Sequence, residues 1–141
     1  MGNRGVLTKI LAVIGMILLW APLAFMILTS VIGSIMMGQF HCDFLIPAEL
    51  FPIVIVGGLL LMWAALRAKL MRKPIIIDLI AAAVFLFAAQ GIAILSGIAS
   101  GAAAATGFYW WLIIATFVLH ILSELGMAIC GIMLIRKLRG K

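Results

Sequence analysis

Charge is scarce in this sequence, and negative charge is scarcest. Only four of the 141 residues are acidic and ten are Lys or Arg, so charged residues make up 10% of the chain. A soluble domain carries about a quarter. The chain is 67% hydrophobic, with a mean hydropathy of +1.39. A water-soluble fold is excluded on area: a small domain buries only about two-thirds of the surface its unfolded chain exposes. Too much apolar surface would remain in water. The natural solvent is lipid. The length points to one compact domain, and no tandem repeat is visible.

Cysteine is equally sparse. Cys42 and Cys130 are the only two. There is no CxxC pair and no zinc-ligand spacing, which excludes a disulfide framework and a zinc module. The topology derived below puts the two thiols at different depths. That is too far for a disulfide, which needs Cα atoms within roughly 7 Å. Also missing are a nucleophile–base–orienter set, a Walker loop and a zincin motif, and nothing names a cofactor. One His and one Glu suffice for acid–base work, so an enzyme is not excluded, but no motif supports one.

The net charge of +6 does not mark a nucleic-acid binder. Such proteins spread cations over a face or interleave them with aromatics. Here the cations sit in three short clusters between long apolar runs.

Those runs are what the sequence has in abundance. Four of them, at about residues 10–37, 47–66, 75–95 and 108–135, reach the roughly 20 residues that a transmembrane helix needs. The first and fourth are longer than a straight span requires, which predicts tilt or projection beyond the lipid. Arg4 and Lys9 would suit the start of a signal peptide. The apolar run after them continues well beyond a usual signal core, so a retained helix is expected.

The basic residues set the direction. Arg4 and Lys9 precede the first run. Arg67, Lys69, Arg72 and Lys73 lie between the second and third. Arg136, Lys137, Arg139 and Lys141 follow the fourth. These are all ten cations; the stretches around 38–46 and 96–107 have none. The expectation is an all-α, antiparallel four-helix membrane bundle of the plasma (inner) membrane, with both termini cytoplasmic.

Smaller signals agree. Phe108, Tyr109, Trp110 and Trp111 form an aromatic cluster suited to the outer interface, and Trp63 sits near an inner one. Pro47 and Pro74 stand at helix starts, where a missing N–H costs nothing. Pro22 falls inside the first helix, where a kink is expected. Gly57–Gly58 marks a close helix contact or a flexible point. The stretch 96–107, rich in Ala and Gly, reads as an outer loop. Nine methionines are scattered and read as packing. The basic segment 67–73 reads as a topology signal that meets anionic headgroups.

Polar groups inside lipid are costly and mark functional candidates. Glu49 and Asp78 are read as first-turn acids, which the helix macrodipole favours by about 0.3–1 kcal/mol. Asp78 is also near Arg72 and Lys73. Glu124 has no such explanation. It lies twelve residues before Arg136, or about 18 Å along a helix, near the bilayer midplane. An unpaired charge there costs at least about 2.5–3.5 kcal/mol. Glu124 should therefore face the bundle interior, be protonated or have a partner.

His120 is that partner by spacing, one helical turn away on the same face. Ala128 and Gly131 continue the face and allow close helix approach. Counted from the helix ends, Gln90 falls at about 22 Å and His120 at about 24 Å. A polar layer of Gln90, His120 and Glu124, with Ser123, follows. It is either a hydrogen-bonded glue between helices or a site for a ligand, ion or proton. A second cluster, Gln39, His41, Cys42 and Asp43 with Glu49 nearby, holds zinc- or copper-ligating types. Adjacent side chains diverge, so a polar outer loop with one free thiol is the plainer reading. That thiol would also link two protomers in an oxidising exterior.

The expected function is a small membrane protein whose buried polar site binds a proton, cation or small polar-headed ligand, in a transport-type role. Its surroundings are the lipid bilayer. Transport implies a homo-oligomer, because four helices alone enclose little aqueous path. Two rivals stand beside it. One is an accessory subunit docked on a membrane-protein partner. The other is a lipid-modifying enzyme, which requires a lateral groove near Glu124.

Overall fold

The computed structural model describes residues 2–38, 51–104 and 106–140. Among them there are four helices and no strand: α1 Gly2–Met37, α2 Phe51–Ala68, α3 Arg72–Leu95 and α4 Gly107–Arg139. Nothing in these runs competes with the helix. Leu, Ile and Ala predominate, and the few hydroxyls bond back to their own helix, as Thr29 does to the Phe25 carbonyl at 2.9 Å and Thr116 to Leu112 at 2.9 Å. All four helices are long and apolar enough to cross a membrane.

Most of that apolar surface faces outward. Between 22% and 33% of each apolar span is buried inside the protein. Ile17, Ile27, Ile77, Phe87 and Leu122 are all more than half exposed. Helices that are apolar all round belong in a core or a bilayer, and here the core is thin. Its fully buried large side chains are Leu19, Leu61, Ile75, Met127 and Leu134.

The helix ends differ from the sequence expectation. α1 begins at Gly2, not near 10, and α4 runs on to Arg139. At 1.5 Å per residue, their 36 and 33 residues give about 54 and 50 Å. Both exceed the roughly 30 Å hydrocarbon core. α1 is continuous through Pro22, although proline leaves the Leu18 carbonyl without its helical N–H partner. α3 begins at Arg72, three residues before the expected start, with Pro74 in its first turn. Residues 47–50, including Pro47 and Glu49, lie outside the described residues.

Short connections bring neighbours together. At the end of α2, Lys69 adopts a left-handed conformation (φ 55°). The Leu70 N–H donates to the Ala65 carbonyl at 3.2 Å and Lys69 N–H to Leu66 at 3.3 Å. This is a Schellman-type stop that caps two otherwise orphaned carbonyls. Met71, also left-handed, turns the chain into α3. At the other end, residues 96–103 form a series of turns. Ala99 N–H donates to Ala93 and Ala103 N–H to Gly97, with positive φ at Gly97 and Gly101. The expected outer loop is thus internally bonded.

α1 packs most closely along α2, and α3 along α4. The α1–α2 crossing is a backbone contact. A side-chain carbon at Gly15 would sit 2.9 Å from both the Gly57 carbonyl oxygen and the Leu61 nitrogen. Gly58 faces Leu79 of α3 and Met127 of α4, and Gly131 of α4 faces Met16 and Leu61. Phe51 meets Phe87 edge to face, with ring centroids 5.8 Å apart. These contacts gather Lys9, Arg67, Lys69, Arg72, Lys73, Arg136, Lys137 and Arg139 at one end. There the Lys137 ammonium approaches the Met71 sulfur at 3.7 Å. Phe108, Tyr109 and Trp111 are exposed at the opposite end.

Candidate functional site

The seam between α3 and α4 carries the polar chemistry. His120 and Glu124 lie on the inward stripe of α4 with Met127, Gly131 and Leu134, and all of them are buried. Glu124 is 4% exposed and His120 6%. The helix repeat brings them together, because residues four apart stack on one face. His120 Nε2 and Glu124 Oε2 are 4.0 Å apart. That distance permits an ionic attraction but exceeds the roughly 2.7–3.2 Å of a hydrogen bond.

The other ring nitrogen is committed. His120 Nδ1 lies 2.8 Å from the Ala82 carbonyl oxygen of α3. A carbonyl only accepts, so Nδ1 carries the proton and donates. Nε2 is left as the nitrogen that can gain or lose a proton, and it faces Glu124. Phe117 lies beside the ring at 6.0 Å between centroids.

Glu124 is less well served. Its Oε1 is buried and has no hydrogen-bond partner among the described residues. An unsatisfied buried polar atom costs about 1–3 kcal/mol. None of the described side chains donates to it, so what would satisfy Oε1 is a proton, a cation or a donor group brought in from outside.

The other expected members of the layer are placed differently. Ser123 Oγ donates to the Leu119 carbonyl of its own helix at 2.9 Å, so its hydroxyl is engaged locally. Gln90 is not level with His120: the α3 residue that His120 touches is Ala82, eight residues earlier, or about 12 Å along the helix. Depth counted from Ile75 and Arg136 assumed that the two helix ends are flush. They are not. Ala82 is ten residues from the start of α3 at Arg72, whereas His120 is nineteen from the end of α4 at Arg139.

Asp78 takes the place left open. The first turn of α3 has no acid, because the helix starts six residues before Asp78. The macrodipole reading of this residue is therefore corrected. Among the described residues Asp78 forms no ion pair with Arg72 or Lys73, and both of those are exposed. The half-buried carboxylate instead lies against α4. A side-chain carbon at Gly126 would be 3.0 Å from Asp78 Oδ2, and the Cys130 thiol points to the same oxygen at 4.0 Å. Asp78 and Ala82 are one turn apart on α3. Along the seam, from the cation-rich end inward, come Cys130 with Asp78, then Gly126, then Glu124, then His120 with Ala82. The signal that could have located Asp78 was the pair Gly126 and Cys130, two small residues one turn apart on the facing helix.

His41, Cys42 and Asp43, the metal candidates, lie outside the described residues with Gln39. Among the described residues no cluster of three His, Cys, Asp or Glu side chains is placed to hold a metal ion. Compared with protein-family models, curated proteins and solved structures, the chain gives no match.

Proposed function

We propose that this protein is a four-span membrane bundle whose His120–Glu124 pair is a proton or cation site serving a transport-type role. The observation that carries this reading is the buried, unpartnered Oε1 of Glu124, beside a histidine whose Nε2 is free to titrate. An acceptor-only oxygen facing no donor calls for H⁺ or another cation, or for the donor of a polar-headed ligand. Intramembrane ionisable groups that face a bundle interior mark such sites in general. Asp78, one turn toward the cation-rich end, extends the site along the α3–α4 seam. In this reading the helices run antiparallel through the plasma (inner) membrane. Both termini face the cytoplasm, as the clustering of Lys and Arg at one end favours. Two or more copies supply the aqueous path that one bundle of four cannot.

The test is reconstitution of the full chain in vesicles that hold an entrapped pH indicator, with an imposed membrane potential. Wild type should carry protons and show a pH-dependent change in tryptophan fluorescence. Glu124→Gln, nearly the same in shape but unable to ionise, should lose both. If the two proteins behave alike in both measurements, the site is only structural.

A further inference from the structure

α1 and α4 also meet at their cation-bearing ends, far along α4 from Glu124. They leave between them an open groove of about 320 Å³. Ile10, Val13 and Ile14 of α1 and Ile135 of α4 form its apolar wall, and Lys9 and Arg139 stand at its rim. Ile10, Val13 and Ile14 are each at least 40% exposed, so the wall is open to whatever surrounds the protein. Both rim cations are exposed as well. Among the described residues neither forms an ion pair.

We propose that this groove binds one anionic phospholipid, with an acyl chain along the Ile10–Val13–Ile14 wall and the phosphate between Lys9 and Arg139. Charge and polarity select the occupant together. From the rim at Lys9 to Ile14 is about 7.5 Å along the helix, and the wall between gives an apolar chain a surface in line with the membrane-crossing direction. A soluble phosphate would leave that wall unused. A zwitterionic lipid would bring no net negative charge to the two unpaired cations. A second copy of this chain is disfavoured by its own charge, because it inserts in the same orientation and would bring Lys and Arg to the same level. Basic residues at a membrane surface attract anionic lipids by about 1 kcal/mol each. Two of them predict a preference of roughly 30-fold over a neutral lipid of the same chains.

Native mass spectrometry of the detergent-solubilised full chain can read this directly. The protein is titrated separately with phosphatidylglycerol and phosphatidylcholine of identical acyl chains. Wild type should bind the first phosphatidylglycerol tens of times more tightly than the first phosphatidylcholine. Lys9→Gln with Arg139→Gln should bring the ratio close to one, and each single change should give an intermediate ratio that keeps the test alive if the double variant fails to fold. Val13→Trp, which fills the wall, should weaken the first binding event for both lipids. The proposal is overturned if wild type shows no preference. It is also overturned if the preference survives the double change and vanishes in Arg67→Gln with Lys73→Gln, or if millimolar inorganic phosphate displaces the lipid.

Discussion

His120 of α4 donates through Nδ1 to the backbone carbonyl of Ala82 on α3 at 2.8 Å, which fixes the ring and leaves Nε2 turned toward Glu124. This hydrogen bond ties two helices and sets the chemistry in one stroke. Protein labelled with ¹⁵N at histidine should show the neutral ring of His120 with its proton on Nδ1, and Nε2 as the nitrogen that changes protonation with pH. A dominant Nε2–H tautomer would rule out the assignment. His120→Asn, which can present an N–H near the Nδ1 position, should keep most of the stability and lose the pH response. His120→Leu should lose both, at a cost of about 0.6 kcal/mol, the mean for interhelical hydrogen bonds in a membrane, and at most about 1.7 kcal/mol.

Glu124 offers a sharper separation of stability from function. Its Oε1 is buried without a partner, and such an atom costs about 1–3 kcal/mol. Glu124→Met replaces the carboxylate with an apolar side chain of similar length. The variant should resist unfolding in mixed micelles better than wild type by about that amount, while proton transfer is lost. Sites kept for function commonly trade stability in this way. A variant less stable than wild type would mean that Oε1 is bonded in the membrane, and the observation that carries the proposed function would disappear.

The four membrane-length apolar helices were legible because composition determines them. A run of about 20 apolar residues needs no tertiary information to be read as membrane-crossing, and the cations that flank the runs needed none either. The pairing of His120 with Glu124 was legible for a related reason, since it lies within one helix and depends only on the repeat. Gln90 and Asp78 were misread because their surroundings depend on the register between helices. That register follows from where α3 starts, from the left-handed stop at Lys69 and Met71, and from which side chains are small enough to admit a neighbour. Pro74 suggested a start too late in the sequence by three residues, which moved Asp78 into a first turn that it does not occupy. The crossing was legible from one side only: Gly57–Gly58 marked a close helix contact, but its partner Gly15, forty-two positions earlier, shows itself only once the helices are laid side by side.

Three glycine-to-alanine changes should separate contact from mere flexibility. At Gly15 the new methyl would meet two backbone atoms of α2 at 2.9 Å. Neither can move unless the helices part, so Gly15→Ala should cost about 1–3 kcal/mol, as overpacking does. At Gly126 the nearest atom is the end of the Asp78 side chain at 3.0 Å, which can swing aside, so the loss should be smaller. At Gly91 nothing lies within 4 Å, and alanine should stabilise the helix by about 0.4–1 kcal/mol through the unfolded chain. Unfolding midpoints should fall in the order Gly91→Ala, wild type, Gly126→Ala, Gly15→Ala. Equal midpoints for the Gly15 and Gly91 variants would remove the α1–α2 contact.

Direction across the bilayer can be read with single cysteines. In a background carrying Cys42→Ser and Cys130→Ser, a thiol is placed at Lys69, Ser100 or Gly140, three exposed positions. Lys69 lies in the α2–α3 turn, Ser100 in the turns after α3 and Gly140 just beyond α4. In the proposed orientation the cations gathered around the first and third of these face the cytoplasm. A membrane-impermeant maleimide added to intact cells should therefore label Ser100→Cys alone. Lys69→Cys and Gly140→Cys should react only after the membrane is opened. The reverse pattern would invert the orientation and leave the bundle intact. Labelling of Lys69→Cys and Gly140→Cys from opposite sides is the more damaging result, because an even number of crossings must separate them if α3 and α4 both span the bilayer.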